Sequence, residues 1–131
     1  MRSVESYTQD EIWMHKAFEL ARYGEHRVRV GCLAVVKGKP VAGTWNTMRN
    51  FSPVDYKDIS VHAEMACISL VSDRILSGAT LYIVRIDKKD NLMPSYPCQR
   101  CMKKLKGRVK NICVHVDNGN PTSTHIQKYR L

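Results

Sequence analysis

Two short stretches far apart in the chain constrain its fold more than anything else in it: Val61-His62-Ala63-Glu64 and Pro97-Cys98-Gln99-Arg100-Cys101. Between His62 and Cys98 lie 35 residues, enough for a helix, a strand and a return loop, so a fold can bring the two stretches back together. A metal ion is what would hold them there. One imidazole and two thiolates suit Zn²⁺, a borderline-soft ion that takes nitrogen and sulfur and keeps a fourth position open when only three protein ligands bind it. A closed structural site would want a fourth protein ligand at similar spacing, and no obvious one is present. Cys98 and Cys101 are three apart and so point to the same side of a helix's first turn. His62 and Glu64 are two apart and do not stack on one face. At a helix start, however, His62 can bind metal while Glu64 stands beside the open position as base and acid rather than ligand. Both groups are expected at helix N-termini, where backbone dipoles offset the negative charge of the thiolates and let a bound water ionise near neutral pH.

The joint pattern, His62-Ala63-Glu64 followed by Pro97-Cys98-Gln99-Arg100-Cys101, resembles that of the zinc-dependent cytidine and deoxycytidylate deaminase superfamily, and the resemblance covers most of the chain. A Cys-x-x-C alone would read equally well as a redox pair or half a zinc knuckle; the combination is far more specific. The resemblance implies Zn²⁺ on His62, Cys98 and Cys101, with Glu64 as the catalytic acid and base. Glu64 would protonate the ring nitrogen of cytosine and then pass a proton to the leaving ammonia, giving the uracil analogue. Substrate contacts are implied at Asn46, within Gly43-x-x-Asn46, and at Ala63, whose small side chain lets its N–H approach the base. Tyr96 and Pro97, beside the metal loop, complete that set.

Along the chain, Thr8 with Glu11 forms a capping-box pattern, and apolar residues at helical spacing predict a first helix from about Thr8 to Tyr23, ended by Gly24. Trp13 reads as core edge and His15 as surface. Gly31 to Val36, a tight turn, and Val41 to Asn46 read as a β-hairpin whose first strand is apolar throughout and therefore covered on both faces. Residues 47–60 form a long connection in which Arg49 or Lys57 would hold a substrate phosphate while Tyr56 lies against base or sugar. An apolar helix is predicted from His62 to Leu76, then a strand over Ala79 to Ile86 and a polar connection to Tyr96. The next helix runs from Cys98 to about Lys106 with Arg100, Lys103, Lys104 and Lys106 facing out. A strand over Asn111 to Val116 should lie parallel to the previous one by the crossover rule. The Asn118-Gly119 turn then predicts a last strand, Ser123 to Lys128, antiparallel to it. This order gives an α/β class, a three-layer α/β/α cytidine-deaminase-like fold around a mixed sheet of about five strands, as one domain over residues 1–131.

Cys32, Cys67 and Cys113 sit in apolar stretches as reduced core residues, which with the absence of any apolar run of membrane-spanning length leads to an expectation of a soluble, cytoplasmic protein. The net charge of +9 favours anionic partners or is simply a solvated basic face. The long connection before Pro97, Tyr96 next to it, and the chain's last residue at Leu131 with no C-terminal helix argue against a tRNA-editing enzyme. They resemble instead the small nucleotide deaminases of phage and viral type. The expected substrate is a cytosine nucleotide or nucleoside, deoxycytidylate (dCMP) foremost. The alternatives are a deaminase of single-stranded DNA or RNA using the basic helix, and a zinc-stabilised nucleotide- or nucleic-acid-binding module without turnover. A homo-oligomer is a family expectation.

Overall fold

A computed structural model of the chain describes residues 8–25, 27–48, 60–117 and 124–131. The elements are α1 (Gln9–Ala21), β1 (Arg29–Val36), β2 (Lys39–Trp45), β3 (Thr47–Met48), β4 (Ser60–Val61), α2 (Ala63–Ser69), α3 (Asp73–Leu76), β5 (Thr80–Ile86), β6 (Leu92–Met93), α4 (Gln99–Leu105), β7 (Asn111–Asp117) and β8 (Thr124–Arg130).

Local chemistry explains most of these limits. The Thr8 hydroxyl accepts from the Glu11 N–H at 3.1 Å and caps α1, as the capping-box pattern predicts, although the helix stops at Ala21, short of Tyr23. Lys37 and Gly38 both have left-handed φ, 50° and 74°, which matches a two-residue turn to the twist of the flanking strands β1 and β2. A register shift between Ala34 and Val35 sets Val35 opposite Pro40, so the residue that lacks an N–H falls beside an irregularity of an edge strand.

The main sheet runs β2-β1-β5-β7-β8, with β6 added to β5. β5 lies antiparallel to β1; its parallel pairing with β7 and the antiparallel closure of β8 on β7 are as predicted. The connection that carries the Asn118-Gly119 signal lies outside the described residues. The sheet has six strands where the sequence suggested about five, because Leu92–Met93 pairs with Ile86 and Arg85 inside what reads as a polar loop.

Alternation along the central strands separates two cores. Leu33, Val35, Tyr82, Val84 and Ile86 meet Met14, Ala17 and Ala21 of α1, whereas Cys32, Ala34, Leu81, Ile83, Ile112 and Val114 belong to the core under α2, α3 and α4. The three-layer α/β/α arrangement follows. Trp13 packs against the α1-side core, His15 is exposed beside Glu19, and Cys32, Cys67 and Cys113 are buried free thiols, as read from the sequence. Among the described residues no helix is long and apolar enough to cross a membrane.

The helix predicted over His62 to Leu76 is two helices. Ser72 leaves the helical region (ψ 150°), and its carbonyl accepts from Leu76 N–H at 2.9 Å to start α3. Ser72 makes no side-chain capping bond, but Asp73 stands in the first turn of α3, where a carboxylate suits the positive end of the helix dipole. The break leaves Leu70 exposed and lets Leu76 reach full burial.

Gly31 sets how closely α1 lies on the sheet. A Cβ there would stand 2.1 Å from the Ala17 carbonyl oxygen and 2.5 Å from the Ala21 nitrogen. Both neighbours are backbone atoms, so only a shift of the helix would relieve the clash. Gly31→Ala is expected to cost roughly 2–3 kcal/mol, the upper part of the span for an overpacked core because both clashing atoms are backbone, read as a lower urea midpoint with unchanged slope. An unchanged midpoint would show that α1 does not depend on this close approach.

Candidate metal centre

The two stretches singled out above meet at the N-terminal ends of two helices. His62 is the N-cap residue of α2 and Cys98 that of α4, each with extended backbone (ψ 138° and 163°). The Cys98 Sγ accepts from the Cys101 N–H at 3.5 Å, so the thiol caps its own helix and is held facing Cys101. His62 Nδ1 lies 3.2 Å from the Cys101 Sγ and 3.9 Å from the Cys98 Sγ. The three candidate ligand atoms all fall within 4.8 Å of one another. Tetrahedral zinc with bonds of about 2.3 Å to sulfur and about 2.0 Å to nitrogen sets its ligand atoms roughly 3.5–3.8 Å apart. The observed distances bracket that spacing, so the donor set fits a zinc ion, with Nδ1 as the imidazole nitrogen facing the sulfurs. Cys101 is buried, and desolvation, reinforced by the nearby Glu64 charge, pushes its thiol up to about 12. Metal binding at this sulfur therefore displaces a proton.

Glu64 sits in the first turn of α2, 6% exposed. Burial raises its carboxyl above the usual range, opposed by its own backbone N–H and by the charges of His62 and Arg85. A cleft of about 430 Å³ opens over His62, Glu64 and Cys98. Buried Asn46 lines its wall, but the amide is partly committed: Oδ1 accepts from Val30 N–H at 2.8 Å and Nδ2 donates to the Val28 carbonyl at 3.0 Å. One N–H and one lone pair of that amide are left for another partner. Tyr96 lines the cleft, half exposed, and packs edge-on against Tyr129 with ring centroids 5.6 Å apart.

Ala63 and Pro97 are buried behind the site and do not line the cleft; the Ala63 carbonyl accepts from the Thr44 hydroxyl at 2.7 Å. Arg49, Tyr56 and Lys57 lie outside the described residues.

Three polar cleft residues were not named from the sequence. Ser95 is buried; its hydroxyl donates to the Ile83 carbonyl at 2.7 Å and accepts from the His115 N–H at 2.8 Å, which pins the loop before Cys98 to both β5 and β7. Its place two residues before Pro97 was visible, its partners were not. Arg27 and Arg85 also line the cleft. The available signal for Arg85 was a lone charge in the apolar run Leu81-Tyr82-Ile83-Val84-Arg85-Ile86.

The family model for the cytidine and deoxycytidylate deaminase zinc-binding region matches residues 7–116. No curated protein matches the sequence. Among solved structures the fold is similar to cytidine deaminase from Mycobacterium tuberculosis, with a TM-score of 0.50 and 21% identity over 85% of this chain and 84% of that one. Cytidine deaminase from Mycobacterium leprae gives 0.51 and 16% over 86% and 88%. RibD from Acinetobacter baumannii gives 0.51 and 24% over 79% of this chain but only 27% of its own length.

Proposed function

From the premise that the chain belongs to the cytidine and deoxycytidylate deaminase family, we propose that it hydrolyses the amino group from the cytosine of a free nucleotide or nucleoside, with dCMP the foremost substrate. The observation that carries this reading is the cluster of His62 Nδ1 and two cysteine sulfurs beside a cleft that His62, Cys98 and the buried Glu64 line. Two of the solved structures that share the fold are cytidine deaminases by name.

In this reading His62, Cys98 and Cys101 hold zinc. When bound, the ion acts as a Lewis acid and makes water a nucleophile at neutral pH. Glu64 does the proton work. It accepts a proton from the attacking water and delivers it to the ring nitrogen, then carries the proton of the new hydroxyl at carbon 4 to the departing amino group as that oxygen becomes the carbonyl. Across the reaction a C–O bond forms at carbon 4, the C–N bond breaks, and the nitrogen leaves as ammonia. Asn46 uses its free amide N–H and lone pair to orient the sugar or base, and Tyr96 borders the base edge.

The test is ammonia release by zinc-loaded protein from cytidine, deoxycytidine, CMP and dCMP, beside a short single-stranded oligonucleotide. Release from a free nucleotide or nucleoside is the expected result. Activity on the oligonucleotide alone would sink this reading and turn attention to the basic face of α4.

A further inference from the structure

Arg85 is a half-buried cation in the otherwise apolar run Leu81 to Ile86 of β5. β5 alternation sets it on the same side as Leu81 and Ile83, facing α2 and α4, and it extends past Ile83 into the cleft above the metal centre. Its Nε is buried and has no hydrogen-bond partner, and its guanidinium makes no ion pair among the described residues. Two other arginines of this edge behave differently: Arg29 reaches the Asp87 carbonyl and Asp90, and Arg22 also pairs with Asp90. Arg27 stands exposed at the rim of the cleft that Arg85 lines.

Leaving a buried guanidinium nitrogen unpaired is costly, and an apolar residue at the end of an otherwise apolar strand would avoid that cost. Apart from the metal-ligating residues, the described cleft sets two guanidinium groups, Arg27 and Arg85, against one carboxylate, Glu64. A neutral ligand would leave this positive surplus uncompensated; an anionic one would neutralise it and satisfy the open N–H. Guanidinium groups fit phosphate oxygens in a fork that a single carbonyl cannot match.

We infer that Arg85, aided by Arg27, binds the phosphate of the substrate and so selects cytosine nucleotides over nucleosides. This rests on the deaminase reading above and names the substrate class of the same site. It assigns the phosphate to residues on β5 and before β1 rather than to Arg49 or Lys57.

The experiment compares kcat/KM for dCMP and for deoxycytidine in wild type, Arg85→Gln, Arg85→Lys and Arg27→Gln. It is paired with calorimetric binding of dUMP and deoxyuridine to the same zinc-loaded proteins. The nucleotide-to-nucleoside ratio is expected to fall about 10- to 100-fold in Arg85→Gln, the scale of one charge-assisted contact. Arg85→Lys should recover part of it, and Arg27→Gln should lower it several-fold. Equal losses for both substrates would mean that Arg85 serves the base or Glu64, and would overturn the inference. A wild type with no preference for dUMP over deoxyuridine would overturn it too. Should Arg85→Gln fail to fold, an unchanged ratio in Arg85→Lys and Arg27→Gln would do the same. An Arg85-dependent preference for dUMP in a protein that releases no ammonia would uphold the anion site and reject the deaminase reading. Turnover without that preference would do the reverse.

Discussion

Replacing Glu64 with glutamine is expected to reduce deamination about 10³-fold, within the span that a positioned acid and base contributes, while zinc content and fold survive. The amide keeps the shape of the carboxyl and its fit in the first turn of α2, where Glu64 is 6% exposed. It cannot give and take a proton near neutral pH, and no other described carboxylate lines the cleft. Stability should be no lower than that of the wild type, because the change removes a charge from a buried position without removing volume. Ammonia release, metal analysis and a thermal melt on one preparation check all three statements. Near-normal turnover would remove Glu64 from the mechanism, and lost zinc would mean that its carboxylate belongs to the metal site itself.

The second large effect is expected at Cys101. Cys101→Ala deletes the most buried of the three candidate ligands, the sulfur 3.2 Å from His62 Nδ1. With only an imidazole and the Cys98 thiolate left, zinc should be lost at micromolar free metal. The loss carries a stability cost because metal that binds only the folded chain adds about 4 kcal/mol when present at a thousand times its dissociation constant. The variant should therefore melt near the chelator-treated wild type and show no response to added zinc. Cys98→Ala should lose zinc with less structural damage, since Cys98 is exposed. Zinc-dependent stabilisation that persisted in Cys101→Ala would refute the three-ligand site.

Legibility in the sequence followed how local each determinant is. The spacing of Cys98 and Cys101 and the placement of His62 just ahead of α2 depend on one turn of helix, so the metal donors could be named from the letters alone. Asn46, named as a candidate from Gly43-x-x-Asn46, does line the cleft. That half of its hydrogen-bonding capacity goes to the backbone of Val28 and Val30 depends on a strand that lies 16 residues away in the chain. Ser95 shows the same limit more sharply, because its hydroxyl bridges two strands, at Ile83 and His115, that only the closed sheet sets side by side. The break at Ser72 was written in Ser72-Asp73, but the apolar periodicity from Met65 to Leu76 outweighed it. The two-residue pairing of Leu92–Met93 with β5 has too little periodicity to stand out from a loop.

By itself, then, the sequence determined the family, the candidate metal-binding trio His62, Cys98 and Cys101 with Glu64 beside it, the hairpin and the two-sided burial of the central strands. Capping chemistry, positive-φ turns and the period of two act over a few residues and need no partner to be read. The tertiary structure decided what those residues face: the close seat of α1 on Gly31, the clamp at Ser95, and the cleft that Arg85 lines with its buried Nε lacking a partner among the described residues. Alternation told which side of β5 Arg85 would take, but whether that side held apolar core or an open cleft was fixed by where α2 and α4 begin, which depends on contacts far apart in the chain.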